Sequence, residues 1–492
     1  MKAFYKMIVA AVAAGVFVNA YSKVILPSFY ADNMVLQQKA LMTVKGKAIP
    51  NSTVKFKASW DNKTILAKAD AQGEFTIKFR VPAASMKAYK LSFSDGNGEK
   101  VLSDVYSGEV WLCSGQSNME MPVKGWGMIN ENDREVADAA KYPMIRFLQV
   151  RMFANKNKPA DETELWKTWE VCSPQNVEKF SALAYLFGKE LYDRLRVPIG
   201  LVQSAYGGAS AEAWMGLETL KTFPEMKDEL EKYRKYNFVN DTIQKYAKRA
   251  EQQIPTLLYN TMLYPLHVLP VKGVIWYQGC NNVGNSNYTQ IMNGLIKSWR
   301  NLWGYNFPFY YVQLAGFLKQ ETVQPESNWA ALRWSQWKTL ELPRTGMATA
   351  VDIGNEKDIH PKNKQEVARR LALLALNKTY GKKDLVCEAP APVKYSFSEG
   401  KAKLTFNNKI HVRNDSVACG FILCDANNKF VEGKAKLENP TTISITGAGL
   451  GKITAVRYDW ADYPIGNIYG DTNLPVLPFR TDEMPLVNIE KK

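Results

Sequence analysis

Serine, histidine and aspartate occur in this chain in an order and setting that could perform acyl transfer. Ser117 lies in Ser114-Gly-Gln-Ser-Asn-Met119, directly after the apolar run Glu109-Val-Trp-Leu-Cys113. Such a run reads as a buried parallel strand, and in open α/β sheets ligands bind outside the carboxyl ends of the strands. A serine placed there is a candidate nucleophile if a base can reach it; the competing reading is a helix cap. Only three histidines exist, so the search for a base is short. His267 sits in the apolar segment Tyr264-Pro-Leu-His-Val-Leu-Pro270 and reads as core, and His411 lies opposite Ile410 and Val412 on a strand and reads as exposed. His360, in Asp358-Ile-His-Pro361, follows the strand-like Gly346 to Val351 and precedes a helix carrying Val367, Leu371 and Leu374. It shares the sheet edge with Ser117 and is the expected general base.

Asp358 stands two residues before His360 and is the expected orienting carboxylate, fixing the imidazole tautomer and stabilising the imidazolium. The loop must turn tightly for this, and Pro361 helps by biasing His360 toward an extended conformation. By analogy with the serine-protease aspartate, Asp358→Asn is expected to cost about four orders of magnitude in kcat. The alternative is that Asp358 caps the helix beginning near Pro361. The orienting role would then fall to a backbone carbonyl, to Asp352 or to Glu356.

Four segments in order strengthen the chemical reading: Gly115-Gln-Ser-Asn-Met119, Ser204-Ala-Tyr-Gly-Gly208 with Glu212-Ala-Trp214, Trp276-Tyr-Gln-Gly279, and Asp358-Ile-His-Pro361. Together they resemble the SGNH (GDSL-like) hydrolase superfamily and, within it, the sialate O-acetylesterase family, over roughly residues 105 to 380. The serine motif differs from the nucleophile elbow of α/β-hydrolases, because Met119 stands where that elbow has its second glycine. The resemblance implies a catalytic set of Ser117, His360 and Asp358. It also implies oxyanion donors from the Ser117 backbone N–H, from Gly207 or Gly208, and from Asn281, with Asn282 as the alternative register. Gln116 and Gln278, inside the first and third motifs, fall on the same oxyanion and substrate side. Position 280 is Cys where the family commonly has glutamate.

The reaction so implied is a carbohydrate O-acetylester hydrolysis, with sialic acid as the first substrate and xylan or pectin acetyl groups as the alternative. Ser117 attacks the ester carbonyl, His360 takes its proton, and water later releases acetate from an acetyl-enzyme. The rival from another class is a glycan-binding protein built on an inactivated hydrolase core, and the intact Ser117, His360 and Asp358 argue against it. Trp126, Trp214 and Trp276 lie near the motifs and read either as sugar-stacking platforms or as core. No Cys/His/Asp cluster has metal-ligand spacing and no glycine loop suits phosphate, so neither metal nor cofactor is expected.

The elements that must position these residues read as α/β. From Val105 to about Lys383 strand candidates (109–113, 144–149, 199–203, 273–278, 309–314 and 346–351) alternate with helical stretches such as Ala182 to Leu195 and Gln290 to Leu302. This alternation predicts a parallel sheet flanked by helices, an SGNH-type catalytic domain over 105–388. The long interval before the third motif predicts a helical insertion at about 217–264, either a wall of the site or plain surface helices. Period-two runs predict an antiparallel β-sandwich domain over 24–104, where Val54, Phe56 and Ala58 alternate with Lys55 and Lys57. It reads as a scaffold rather than a sugar-binding module. A second antiparallel β-domain is predicted over 389–485, its segment Ala461 to Phe479 a long loop that packs back on the catalytic domain.

Composition bounds the rest. The 492 residues carry a formal net charge of +15, but the lysines are scattered singly, which excludes a nucleic-acid groove as the preferred partner. Lys2 and Lys6 precede an apolar run, Met7 to Val18, and Val18-Asn-Ala20 suits signal-peptidase cleavage. The expectation is a signal peptide over 1–20, a secreted or periplasmic protein, and no membrane insertion after cleavage, the run being too short for a span. Of the six cysteines, Cys419 and Cys424 are the candidate pair across a hairpin, and the others read as buried thiols. The oligomeric state is not legible in the sequence.

Overall fold

The computed structural model describes residues 24–235, 238–239, 242–243, 250–414 and 417–486. The expected signal peptide lies outside the described residues. Seven strands build the central sheet: β1 (Glu99–Gly115), β2 (Ile145–Val150), β3 (Leu165–Val171), β4 (Ile199–Ala205), β5 (Gly273–Tyr277), β6 (Phe309–Gln313) and β7 (Thr345–Thr349). Their spatial order is β7-β6-β5-β1-β4-β2-β3. Every pairing is parallel except that of β3 with β2. Strands β4 to β7 are buried at every position, as a sheet covered on both faces requires. The antiparallel edge strand β3 departs from the expected sheet. It escaped the sequence reading because it buries only Trp169 and otherwise alternates weakly.

Helices Ala182–Leu195, Tyr288–Trp303, Asn328–Lys338 and Lys364–Leu374 flank the sheet. Their ends are set by local chemistry. Ser181, Ser327 and Asn363 each accept a backbone N–H of the first turn, and Gly304 ends Tyr288–Trp303 in the left-handed conformation at φ 75°. The edge-to-face rings of Trp214, Trp276 and Trp299, with centroids 6.1 and 5.5 Å apart, fill the layer beneath β5. Trp214 and Trp276 are therefore core, not sugar platforms.

β1 is seventeen residues long and serves two layers. Its first half pairs with Ser85–Ser94 and Val35–Gln37, and its second half lies between β4 and β5. The boundary expected between residues 104 and 105 falls inside this strand, so the N-terminal sandwich and the central sheet share one continuous apolar core. Within the sandwich Phe56 stacks on Phe79 from the facing sheet at 4.4 Å. The C-terminal strands form two four-stranded sheets with a separate core around Leu404, Leu423, Ile443 and Val456.

The segment 461–479 does pack on the central domain. Arg333 donates to the carbonyls of Ala461 and Asp462 at 2.7 and 2.6 Å, and the Tyr469 hydroxyl donates to Asp352 at 3.1 Å. His411, expected to be exposed, is half-buried because its strand pairs with Ile468–Gly470.

Cys113, Cys172, Cys280, Cys387 and Cys424 are free thiols, so the expected pairing of Cys419 with Cys424 is not formed. Cys424 lies within strand Phe421–Asp425 and Cys419 just ahead of the same strand, so the two do not face each other across a hairpin. The insertion at 217–264 is only partly helical: Leu217–Leu220 and Lys227–Arg234 are helices, but Phe238–Val239 pairs antiparallel with Thr242–Ile243. Among the described residues no helix is long and apolar enough to cross a membrane.

Candidate active site

The site forms where β1, β4, β5 and β7 end. Gly115 closes β1 at φ 140°, and a Cβ there would come within 2.2 Å of the Tyr277 carbonyl oxygen, so this position requires glycine. The chain then enters a single helical turn, Ser117–Glu120, whose N-cap is Gln116. Ser117 is thus not the cap. Gln116 is buried and ties two motifs together: its N–H donates to Tyr277 O at 2.9 Å, and its Oε1 accepts the Gly279 N–H at 3.0 Å.

His360 arrives from the loop after β7. The Asn355 side chain accepts the N–H groups of Lys357 and Asp358, and Asp358 Oδ1 accepts the His360 N–H at 2.9 Å. These two short turns let an aspartate two residues upstream face the imidazole. His360 Nε2 lies 2.9 Å from Ser117 Oγ, and Nδ1 lies 3.3 Å from Asp358 Oδ1. The helix-cap alternative for Asp358 is not realised, because that helix starts at Lys364 and is capped by Asn363. The other candidate carboxylates are engaged elsewhere: Asp352 by Arg370 at 2.7 and 2.8 Å, and Glu356 by the Gln320 N–H at 3.1 Å. Burial pushes the His360 pKa below its ordinary value; Asp358 opposes this and the nearby Lys364 charge adds to it. A base so tuned stays neutral at mildly acidic pH, the state in which it can take a serine proton.

The second motif follows β4, whose Ala205 pairs with Gly115. A Cβ on Gly207 would lie 3.6 Å from Ser117 Cβ, so this glycine keeps the space beside the serine open. Its N–H donates to Glu120 Oε2 at 2.6 Å. Burial raises the Glu120 pKa, and the Gly207 hydrogen bond partly offsets this. Gly208 has φ 71°, and its carbonyl accepts from Gln253 Nε2 at 3.4 Å.

In the third motif the two asparagines part company. Asn282 is buried, with Oδ1 accepting from Ala211 N–H and Gln278 Nε2 and Nδ2 donating to Glu212 at 3.0 and 2.9 Å. Asn281 Oδ1 accepts from Gln253 Nε2 at 3.1 Å, which leaves its amide N–H groups to face the other way. Gln278 is fully buried between Ala209 O, Asn282 and the Tyr288 hydroxyl. Gln116 and Gln278 therefore brace the loops from behind rather than line the opening. Burial pushes the Cys280 thiol up to about 12, which makes it an inert neighbour.

Sequence reasoning missed three contributors. Gln253, from the insertion, orients Asn281; its signal was only its place in a polar Glu-Gln-Gln run. Glu120 and Lys364 sit within a few residues of Ser117 and His360, but a helix turn and a lysine next to a helix start read as ordinary surface. Of the three tryptophans only Trp126 reaches the site: it is 45% exposed and stands edge-on to His360 at 5.3 Å. Among the described residues no cluster of three or more His, Cys, Asp or Glu could hold a metal ion.

The sequence profile of the family described as carbohydrate esterase, sialic acid-specific acetylesterase, matches residues 107–377. The sialate O-acetylesterase of Mus musculus is 31% identical over 487 residues, covering 88% of this chain and 89% of that protein. The Homo sapiens sialate O-acetylesterase is 29% identical over 475 residues, covering 89% and 87%. A crystal structure of a carbohydrate acetylesterase from Xanthomonas citri superposes with a TM-score of 0.82 at 35% identity, covering 94% of this chain and all of that one.

Proposed function

The chain belongs to the sialic acid-specific acetylesterase family of carbohydrate esterases, and from that premise we propose that it removes O-acetyl groups from sialic acids through a serine acyl-enzyme. That it is an esterase acting on O-acetylated carbohydrate follows from the family; the sugar, the mechanism and the location are the proposal. The observation that carries the mechanism is the 2.9 Å approach of His360 Nε2 to Ser117 Oγ, with Nδ1 turned to Asp358.

In the first step His360 takes the Ser117 proton as Oγ bonds to the acetyl carbon. The carbonyl π pair moves to oxygen, and the resulting oxyanion is met by the Ser117 N–H, a second-motif glycine and Asn281 Nδ2. Because Glu120 already takes the Gly207 N–H, Gly208 is the more accessible glycine donor. Collapse of the intermediate breaks the C–O bond to the sugar, and the imidazolium returns its proton to the departing hydroxyl. Water, deprotonated by His360, then attacks the acetyl-enzyme, and acetate leaves as Ser117 recovers its proton. Asp358 holds the tautomer that keeps Nε2 free. Trp126 at the rim offers an apolar ring face to the sugar.

The second substrate reading, an acetylated plant glycan such as xylan or pectin, keeps its place because the similar Xanthomonas citri protein is a carbohydrate acetylesterase, a class wider than sialic acid. The charged start, apolar run and Val18-Asn-Ala20 ending support export with cleavage after Ala20. The test is acetate release from a panel of O-acetylated sialic acids, xylan and pectin by wild type and Ser117→Ala. The proposal expects turnover of the sialic acids and loss of several orders of magnitude in the variant. Retained turnover by Ser117→Ala would overturn the mechanism, and release from the plant glycans alone would overturn the substrate. N-terminal sequencing of the exported protein that still found Met1 would overturn the cleavage.

A further inference from the structure

Lys364 is fully buried, yet no carboxylate lies within hydrogen-bond reach among the described residues. Its Nζ donates to Asn118 Oδ1 at 2.7 Å and to the Pro361 carbonyl at 2.6 Å. Asn118 in turn donates through Nδ2 to the Ile359 carbonyl at 3.0 Å. The two carbonyls so held flank His360, one on each side. Asn118 is the residue directly after Ser117. The chain of contacts therefore runs from the serine turn to the carbonyls of the residues before and after the histidine, without touching either the Ser117 or the His360 side chain.

Burying an ammonium group is costly unless its donors are satisfied, and a leucine or methionine would fill this space at no such cost. Burial lowers the Lys364 pKa to about 7; Asp358 and Cys280 oppose that shift. The Tyr277 ring lies 5.7 Å from Nζ. A lysine retained under that penalty is explained if the link it makes is needed for something other than stability.

We propose that Lys364 and Asn118 form a clamp that sets the register of His360 against Ser117, so that both act as positioning residues for the proton transfer. This rests on the reading of Ser117 and His360 as nucleophile and base. The loop carrying His360 crosses from a different strand end than Ser117, so nothing covalent fixes their separation. The only direct link between their side chains is the bond that must break and re-form in each cycle. A misplacement of about 1 Å at a reacting pair can cost on the order of 10²-fold in rate. A fixed second tether removes that freedom. Deprotonation does not release it, since a neutral amine keeps two N–H donors for two carbonyl-type acceptors.

The test uses full-length Lys364→Met and Asn118→Ala, singly and together, beside wild type and Ser117→Ala, with an aryl acetate as probe. Thermal midpoints are read on the same samples. The clamp predicts a fall in kcat of roughly 10²-fold in each single variant with KM within about two-fold, because binding groups are untouched. It predicts that the double variant is no worse than the worse single one, since both break the same tether. The groups facing Lys364 are Asp358, His360, Cys280 and Tyr277. In the acidic range Lys364 is charged and disfavours imidazolium, so its removal moves the acid limb of kcat/KM to higher pH. That shift follows from the lost charge alone, so the clamp is read from kcat: a lysine that merely stabilised the fold would lower the midpoint and leave the kcat of the folded variant near wild type. Should Lys364→Met fail to fold, the kcat of Asn118→Ala decides alone. A folded single variant with kcat on the pH plateau within about three-fold of wild type overturns the clamp. If Ser117→Ala itself stays active, the underlying catalytic reading fails instead.

Discussion

Asp358→Asn is the most discriminating perturbation of this site, because its cost depends on a detail of the loop. In serine proteases the same exchange costs about four orders of magnitude, as the amide presents an N–H to Nδ1 and inverts the tautomer. Here Asp358 Oδ1 also accepts the His360 backbone N–H at 2.9 Å. An asparagine must keep its oxygen at that position, since its NH2 cannot accept. The same oxygen stays 3.3 Å from Nδ1, and the tautomer that leaves Nε2 free is preserved. What is lost is one negative charge beside the imidazolium.

At a separation of about 4 Å, with a dielectric between a protein surface and water, that charge is worth about 2 kcal/mol. The side chain is 39% exposed, which argues against the larger values of a dry site. The expected loss is therefore about 30-fold in kcat, not the ten-thousand-fold of the bare analogy. The acid limb of kcat/KM should also move to lower pH, because Asp358 raises the His360 pKa and its removal lets burial dominate. Steady-state kinetics on an aryl acetate from pH 4 to 9, with thermal midpoints on the same protein, measure both. A loss above about 10³-fold would refute the pinned-amide argument, and a loss below two-fold would refute Asp358 as the orienting group.

Other outcomes follow from the same geometry. Asn281→Ala should lower kcat by roughly 10²–10³-fold with little change in KM, and acetate-release kinetics check it. Asn282→Ala should instead cost roughly 3 kcal/mol of stability, because it leaves the buried Ala211 N–H unpartnered and takes hydrogen bonds from Gln278 and the Glu212 carboxylate; a urea titration measures that loss. Trp126→Ala should raise KM about ten-fold on an acetylated sugar through loss of roughly 50 Å² of apolar contact, while an aryl acetate feels it far less. For the wild type, the acid limb of kcat/KM should lie below the ordinary histidine value near 6.5, since burial depresses the His360 pKa; a limb above it would contradict the environment described.

The strand runs, the α/β order and the three candidate side chains were legible in the sequence because each is a local signal. A fully buried parallel strand is largely apolar, as β4 to β7 are, and helix Ala182–Leu195 was read from its place in the strand–helix alternation. Ser117, His360 and Asp358, which the fold brings together, were findable because few residue types can do acyl transfer and only three histidines were available. What tertiary structure alone decided is which partners those residues meet. Asn281 and Asn282 are adjacent and chemically identical, and only packing against Glu212 or Gln253 tells which of them is the buried brace. Trp214 and Trp126 were equivalent candidates until one proved core and the other rim. The shared strand β1 was read as a domain boundary because its pairing changes partners while its sequence stays uniformly strand-like. Lys364 looked like any lysine near a helix start. Its burial, and its reach to Asn118 some 246 positions away in the chain, come from the fold that brings β1 and the loop after β7 to one edge. Periodicity and residue type are written into neighbouring positions, whereas hydrogen-bond pairing across strand ends depends on distances that no local pattern encodes.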